Sequence, residues 1–163
     1  MNVNEETMHR FYSAFQRRDA VAMNSCYAAE VIFYDPVFED LVNDEVRGMW
    51  EMLLKRADDL QIVFDRVEAD DEYGTCHWQA TYTFSATRRK IVNKIKAHMR
   101  FREGKIIEHS DQFNLYDWSK QAFGITGWLF GWSSFFQRRI RKAAQGRLYQ
   151  YLTKNTESAK FTD

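Results

Sequence analysis

The feature that most narrows the possible folds is a two-residue alternation sustained through three segments between residues 75 and 115. In the first, Cys76, Trp78, Ala80, Tyr82 and Phe84 alternate with Thr75, His77, Gln79, Thr81 and Thr83. In the second, Ile91, Asn93, Ile95, Ala97, Met99 and Phe101 oppose Lys94, Lys96, His98 and Arg100. In the third, Ile107, His109, Asp111, Phe113 and Leu115 oppose Glu108, Ser110 and Gln112. A strand sends successive side chains to opposite faces, so each segment reads as a half-buried strand with one polar face. Glu103-Gly104 between the last two is a hairpin signal. Ile107, Phe113 and Leu115 must face the core, so phase carries His109 and Asp111 inward with them. A carboxylate on a core face costs several kcal/mol unless it is paired, hydrogen-bonded or lines a wet cavity. The alternation therefore predicts an interior pocket containing an acid and an imidazole.

Ahead of these strands the period is helical. Met8, Phe11, Tyr12 and Phe15 recur on one stripe of residues 5–18, with Asn4 or Glu5 expected to open the helix. Asp19 reads as the cap of a second short helix whose Val21, Met23 and Tyr27 point inward. From Glu30 the run Val31-Ile32-Phe33-Tyr34 is a strand, ended by Asp35-Pro36. A third helix is expected from about Asp44, burying Val46, Met49, Trp50, Leu53 and Leu54. Ile62-Val63-Phe64 opens a further strand towards Glu68. Beyond Asp117 the chain turns helical and aromatic, then basic, with an amphipathic helix expected over Ser134 to Lys154.

Composition excludes several classes. A chain of 163 residues with 13 Phe, 8 Tyr and 5 Trp has ample material for one buried core, so disorder is excluded. No stretch reaches 18 apolar residues, so no spanning helix is expected. The start, Met1 to Glu6, lacks a basic and an apolar region, which points to the cytoplasm. Cys26 and Cys76 make no disulfide or metal pattern, and His77 beside Cys76 faces the opposite way on a strand. Without a GxGxxG or P-loop no nucleotide cofactor is expected, and no metal either. Charge is balanced overall but divided: residues 1–72 hold 7 basic and 17 acidic side chains, residues 73–163 hold 16 and 6. Opposed halves suit self-association, a homodimer, better than nucleic acid. The aromatics that adjoin Arg138-Arg139-Ile140-Arg141-Lys142 carry a subordinate reading, peripheral contact with a membrane surface.

Three segments, in this order and spacing, carry a family resemblance: Phe11-Tyr12-Ser13-Ala14-Phe15 with Asp19, Val31 to Pro36, and Gly104 to Asp111. The chain resembles the nuclear transport factor 2-like superfamily, in the SnoaL-like branch of polyketide cyclases and ketosteroid-isomerase relatives. The resemblance implies an α+β cone, N-terminal helices packed in a curved antiparallel sheet. It covers about residues 6–116 and implies a domain over 1–116, leaving 117–163 as a C-terminal aromatic and basic helical extension packed on it. In ketosteroid isomerases the Asp of the Asp-Pro pair is the general base, which implies that role for Asp35. Their two oxyanion donors fall on Phe11 and Ala97 here, and neither side chain can donate. Tyr12 is one residue from the helical donor position and would face about 100° away. The inner Arg-Asp pair of epoxide-hydrolase relatives falls on Ala97 and Met99. In SnoaL-like cyclases the acid/base is a late-strand Asp with a nearby His, which Asp111 and His109 match.

The expectation is a cofactor-free enzyme acting on a small hydrophobic carbonyl compound by proton transfer. Asp111 would be the general acid/base, His109 its tuning partner and Asp35 a second acid, with walls from Phe11, Tyr12, Phe33, Trp78, Tyr82, Ala97, Met99 and Phe113. The competing expectation is a module that binds such a ligand, or a protein partner, without chemistry.

Overall fold

A computed structural model describes residues 1–160. Helix α1 (Val3–Gln16) begins two residues earlier than the periodicity suggests, because Asn2 is the cap. Its side chain accepts from the Glu5 N–H at 2.8 Å while Glu5 reaches back to the Asn2 N–H, a reciprocal pair that satisfies two orphan donors. Asn4 instead lies buried, its amide donating to the Asp70 carbonyl. Asp19 does cap α2 (Ala20–Asn24), but Val21 is exposed rather than inward. Tyr27 is the first residue of β1 (Tyr27–Asp35), so that strand starts three residues before Glu30.

After β1 comes a strand that the sequence reading did not contain, β2 (Glu39–Val42), whose single buried residue gives no alternation to read. Helix α3 (Asp44–Arg56) follows, then β3 (Gln61–Ala69), β4 (Tyr73–Phe84), β5 (Arg89–Arg102) and β6 (Lys105–Gln112). The six strands form one curved, unclosed sheet in the order β2-β1-β6-β5-β4-β3. It is not wholly antiparallel, since β1 and β6 run parallel with Phe33 opposite His109 and Tyr34 opposite Ser110. Glu103 and Gly104 both take positive φ in the β5–β6 turn. The alternation of β4 to β6 is the observed burial pattern, Cys76, Ala97, Met99, His109 and Asp111 all lying on the inner face.

Helices α1 and α3 fill the concave side. Phe11 and Tyr12, side by side on α1, are both fully buried and diverge, Phe11 onto Trp50 and His109, Tyr12 onto Phe64 and Trp78. The C-terminal segment is α4 (Leu115–Phe123), α5 (Ile125–Phe130) and α6 (Ser134–Lys160). The last of these buries Ala144 and Leu148 and lies across α3 and the β1–β2 turn. Arg141 donates to the Pro36 carbonyl at 2.8 Å, and the Tyr151 hydroxyl meets Lys55 and Glu51 of α3. At Gly48 a Cβ would collide with Leu152, so glycine permits the α3–α6 approach. The helix thereby roofs the open end of the cone.

Candidate functional site

Under that roof lies a cavity of about 540 Å³. Trp50 and Met52 of α3, Trp78, Ala80 and Tyr82 of β4, Ile95 of β5 and Trp118 of α4 form its walls, with Phe136, Ile140 and Ala144 of α6 across from them. Such a lining excludes strongly hydrated ligands and suits an apolar body with a few placed polar groups. Two carboxylates face into it, Asp35 and Asp111. Strand pairing explains their meeting: β1 and β6 run in register through Tyr34 and Ser110, and one further residue on each brings Asp35 alongside Asp111 on the same face.

The two acids are held differently. Asp111 Oδ1 accepts from Trp78 Nε1 and from His109 Nε2, each at 3.1 Å. His109 sits behind it, away from the cavity, with its Nδ1 2.7 Å from the Tyr27 hydroxyl. Trp50 Nε1 donates to that same hydroxyl at 2.9 Å. An indole only donates, so the Tyr27 oxygen accepts from Trp50 and its one proton goes to Nδ1. This direction leaves the His109 proton on Nε2, facing Asp111, a tautomer assigned from the network. The result is a one-way chain, Trp50 to Tyr27 to His109 to Asp111. Rings of Phe11, Phe33 and Trp50 enclose the imidazole at 5.2–6.0 Å, and burial raises the Tyr27 pKa.

Asp35 has no such support. Its Oδ1 accepts the backbone N–H groups of Val37 at 2.8 Å and Phe38 at 2.6 Å, an Asx turn that ends the strand at Pro36. No side chain donates to it among the described residues. Burial dominates its electrostatics and, with the charge of Asp111 adding, outweighs the two N–H bonds and nearby His109, so the carboxyl is pushed up to about 7. The surface near Asp35 is partly open, consistent with a group at the cavity wall rather than in the core.

Tyr82 is the third polar group on the wall. Its oxygen accepts from Trp118 Nε1 at 2.9 Å, leaving the hydroxyl proton free to donate into the cavity. Burial, first, and Asp35 raise its pKa, so it remains a phenol. Inward phase makes Tyr82 a wall residue but does not mark it as a donor, since only the position of Trp118 on α4 reveals which way its proton is free. The relay from Trp50 and Tyr27 has no signature in the sequence either, because both residues are remote along the chain from Asp111.

Of the other expected wall residues, Trp78 and Phe113 line the cavity. Phe11, Tyr12, Phe33, Ala97 and Met99 do not; they are fully or almost fully buried one layer behind, where α1 occupies the deep part of the cone. The Tyr12 hydroxyl is sealed there with no hydrogen-bond partner among the described residues. No group of three or more His, Cys, Asp or Glu side chains among the described residues has the geometry of a metal site.

Comparison with known proteins agrees with this architecture. Structures with the same fold include an NTF2-like protein of unknown function from Burkholderia pseudomallei, 16% identical, matching 76% of this chain and 100% of that one with a TM-score of 0.65. A candidate polyketide cyclase from a Silicibacter species is 19% identical over 72% of this chain and 93% of that one, TM-score 0.63. A hypothetical protein with a ketosteroid isomerase-like fold from Catenulispora acidiphila, in complex with trimethylamine, is 13% identical over 72% and 92%, TM-score 0.62. No curated protein matches. A family model of the SnoaL-like domain matches residues 8–109, from the first buried methionine of α1 to the imidazole behind the cavity. The chain belongs to the SnoaL-like domain family, with the cone-shaped NTF2-like fold and a C-terminal helix laid across it.

Proposed function

We propose that the protein is a cofactor-free enzyme that moves a proton on a hydrophobic carbonyl compound held in this cavity. The observation that carries the reading is Asp35, a carboxyl with one oxygen fixed by two backbone N–H groups, desolvated against an apolar cavity and poised at about 7. A group at that value exchanges a proton in either direction at neutral pH, which is what general acid–base catalysis needs. Asp35 takes a proton from the carbon next to the carbonyl, and the electron pair passes to the carbonyl oxygen as an enolate. The free proton of Tyr82 is the donor available to that oxygen, in place of the donors absent at Phe11 and Ala97. Return of the proton at another carbon completes an isomerisation; attack of the enolate carbon on a second carbonyl of the same molecule, whose oxygen then takes the proton back from Asp35 as its C=O becomes an alcohol, completes a ring closure.

This reverses the ranking expected from sequence, in which Asp111 led. Burial raises Asp35 first and the charge of Asp111 adds to it, while Asp111 itself is anchored by two side-chain N–H donors, His109 positioning it. The fold neighbours named for polyketide cyclase and ketosteroid isomerase-like proteins fit the same chemistry. The test is a panel of β-diketones and unsaturated ketones followed by hydrogen–deuterium exchange at the α-carbon. Exchange catalysed by the wild type and lost in Asp35→Asn supports the reading. If the panel binds and exchange never exceeds that of free acetate, the cavity is a carrier.

A further inference from the structure

The aromatic residues of the C-terminal segment divide between two sides of the same short helices. Trp118 and Phe123 of α4 pack inward with Phe84 and Phe136. Those of α5, the following turn and the start of α6 point away: Trp128 is 61% exposed, Phe130 54%, Trp132 68% and Phe135 63%, with Ile125 and Leu129 also in solvent. Glycines enforce this orientation. A Cβ at Gly127 would strike the Ser119 carbonyl, and one at Gly131 would strike Gly127 and Ser119, so α5 presses its glycine side onto α4 and presents its large side chains outward. A soluble surface rarely carries so many large apolar groups within eleven residues unless something covers them.

Charge indicates what covers them. No Asp or Glu occurs between Asp117 and Glu157, whereas Lys120, Arg138, Arg139, Arg141, Lys142, Arg147 and Lys154 lie in that interval. Arg138, Arg139 and Lys142 are exposed on α6 directly after the aromatic run, and the Arg139 guanidinium lies over the Phe135 ring at 5.9 Å. A second copy docked by the same face would bring these like charges together. An anionic bilayer would meet them with opposite charge, while Trp and Phe rings lodge at the headgroup boundary. Phe135 and Arg139 also line the cavity, so its mouth borders this face.

We propose that α5 and the first turns of α6 form a docking face for an anionic lipid bilayer, with the cavity mouth at its edge. An apolar ligand then passes between lipid and cavity without crossing water; this last part rests on the cavity being the ligand site, whereas the docking itself does not depend on chemistry at Asp35.

Flotation with vesicles of phosphatidylglycerol and phosphatidylcholine, against phosphatidylcholine alone, tests it. The wild type is expected on the anionic vesicles at least about tenfold more tightly than on the neutral ones, and to leave them at high salt. Trp128→Ser/Phe130→Ser/Trp132→Ser, at exposed positions and checked for folding by circular dichroism, should weaken that binding at least about tenfold. Arg138→Gln/Lys142→Gln should remove the preference for anionic lipid, and Asp35→Asn should leave all of it unchanged. Wild type that stays off anionic vesicles, or a triple aromatic variant that binds as well as wild type, overturns the proposal. So does a wild-type dimer that the triple variant converts to monomer with no vesicle binding in either, because a second copy then covers the face.

Discussion

Asp35 and Asp111 line one cavity from adjacent strands, yet they are built for opposite tasks. Asp111 receives two side-chain N–H groups, one of them at the end of a buried relay that reaches back to α3. Asp35 receives only the two backbone N–H groups of its own turn. The same side chain is thus tied into a side-chain network in one place and, in the other, held only by its own turn and raised by burial to about 7. What separates them is the source of the donors rather than their number: Trp78 and His109 side chains hold Asp111, the backbone of its own turn holds Asp35.

The largest expected effect comes from breaking the exchanging member. Asp35→Asn keeps the carbonyl oxygen that accepts from Val37 and Phe38, so the fold should survive. Proton exchange on a carbonyl ligand should fall about 10²–10⁴-fold, with ligand affinity little altered. Equal exchange rates in the two proteins would end the distinction drawn between the acids.

Breaking the anchored member should act first on stability. His109→Leu removes the acceptor of Tyr27 and a donor of Asp111 inside a sealed ring cage. We expect a loss of roughly 3–5 kcal/mol in urea unfolding, because partners on both sides are left unpaired. A change below about 1 kcal/mol would mean that the relay is incidental.

The pH dependence sharpens the contrast. The folded Asp35 carboxyl, at about 7, lies above its ordinary 3.8, so between these values the folded chain holds a proton that the unfolded chain has released. Its contribution to stability is complete below about pH 4, is lost as pH rises towards 7 and changes little beyond. Chemical denaturation of wild type and Asp35→Asn from pH 4 to 8 should therefore diverge, the variant gaining up to roughly 3–4 kcal/mol relative to wild type at the upper end. Over the same range wild-type exchange should rise with an apparent pKa near 7, as Asp35 ionises. Parallel stability curves would place the proton elsewhere.

The smallest expected effect is at Tyr82. Tyr82→Phe removes the free hydroxyl while leaving the ring, and should lower kcat about 10- to 100-fold with KM nearly constant. A change in KM alone would mark it as a wall.

The inner face of the sheet was legible because a strand has a period of two, and that period carried His109 and Asp111 inward with Ile107. The same logic erred where period was lacking: β2 is too short to alternate, and Val21 on a five-residue helix faces solvent. It also placed Phe11, Tyr12 and Met99 at a cavity wall, because inward phase does not distinguish a residue beside empty space from one beneath a helix.

Local pattern by itself determined every strand but β2, the first and third helices, the inward acid–imidazole pair and the Asp-Pro strand end, since each depends on neighbours a few residues away. Only tertiary structure decided how those pieces differ in use. The parallel β1–β6 register put the two acids side by side. Donors from Trp78, Trp118, Tyr27 and Trp50 then decided which oxygen is held and which proton is free. Hydrogen-bond supply and desolvation are set by residues distant along the chain, and they come together only once α3, α4 and α6 have closed around the sheet.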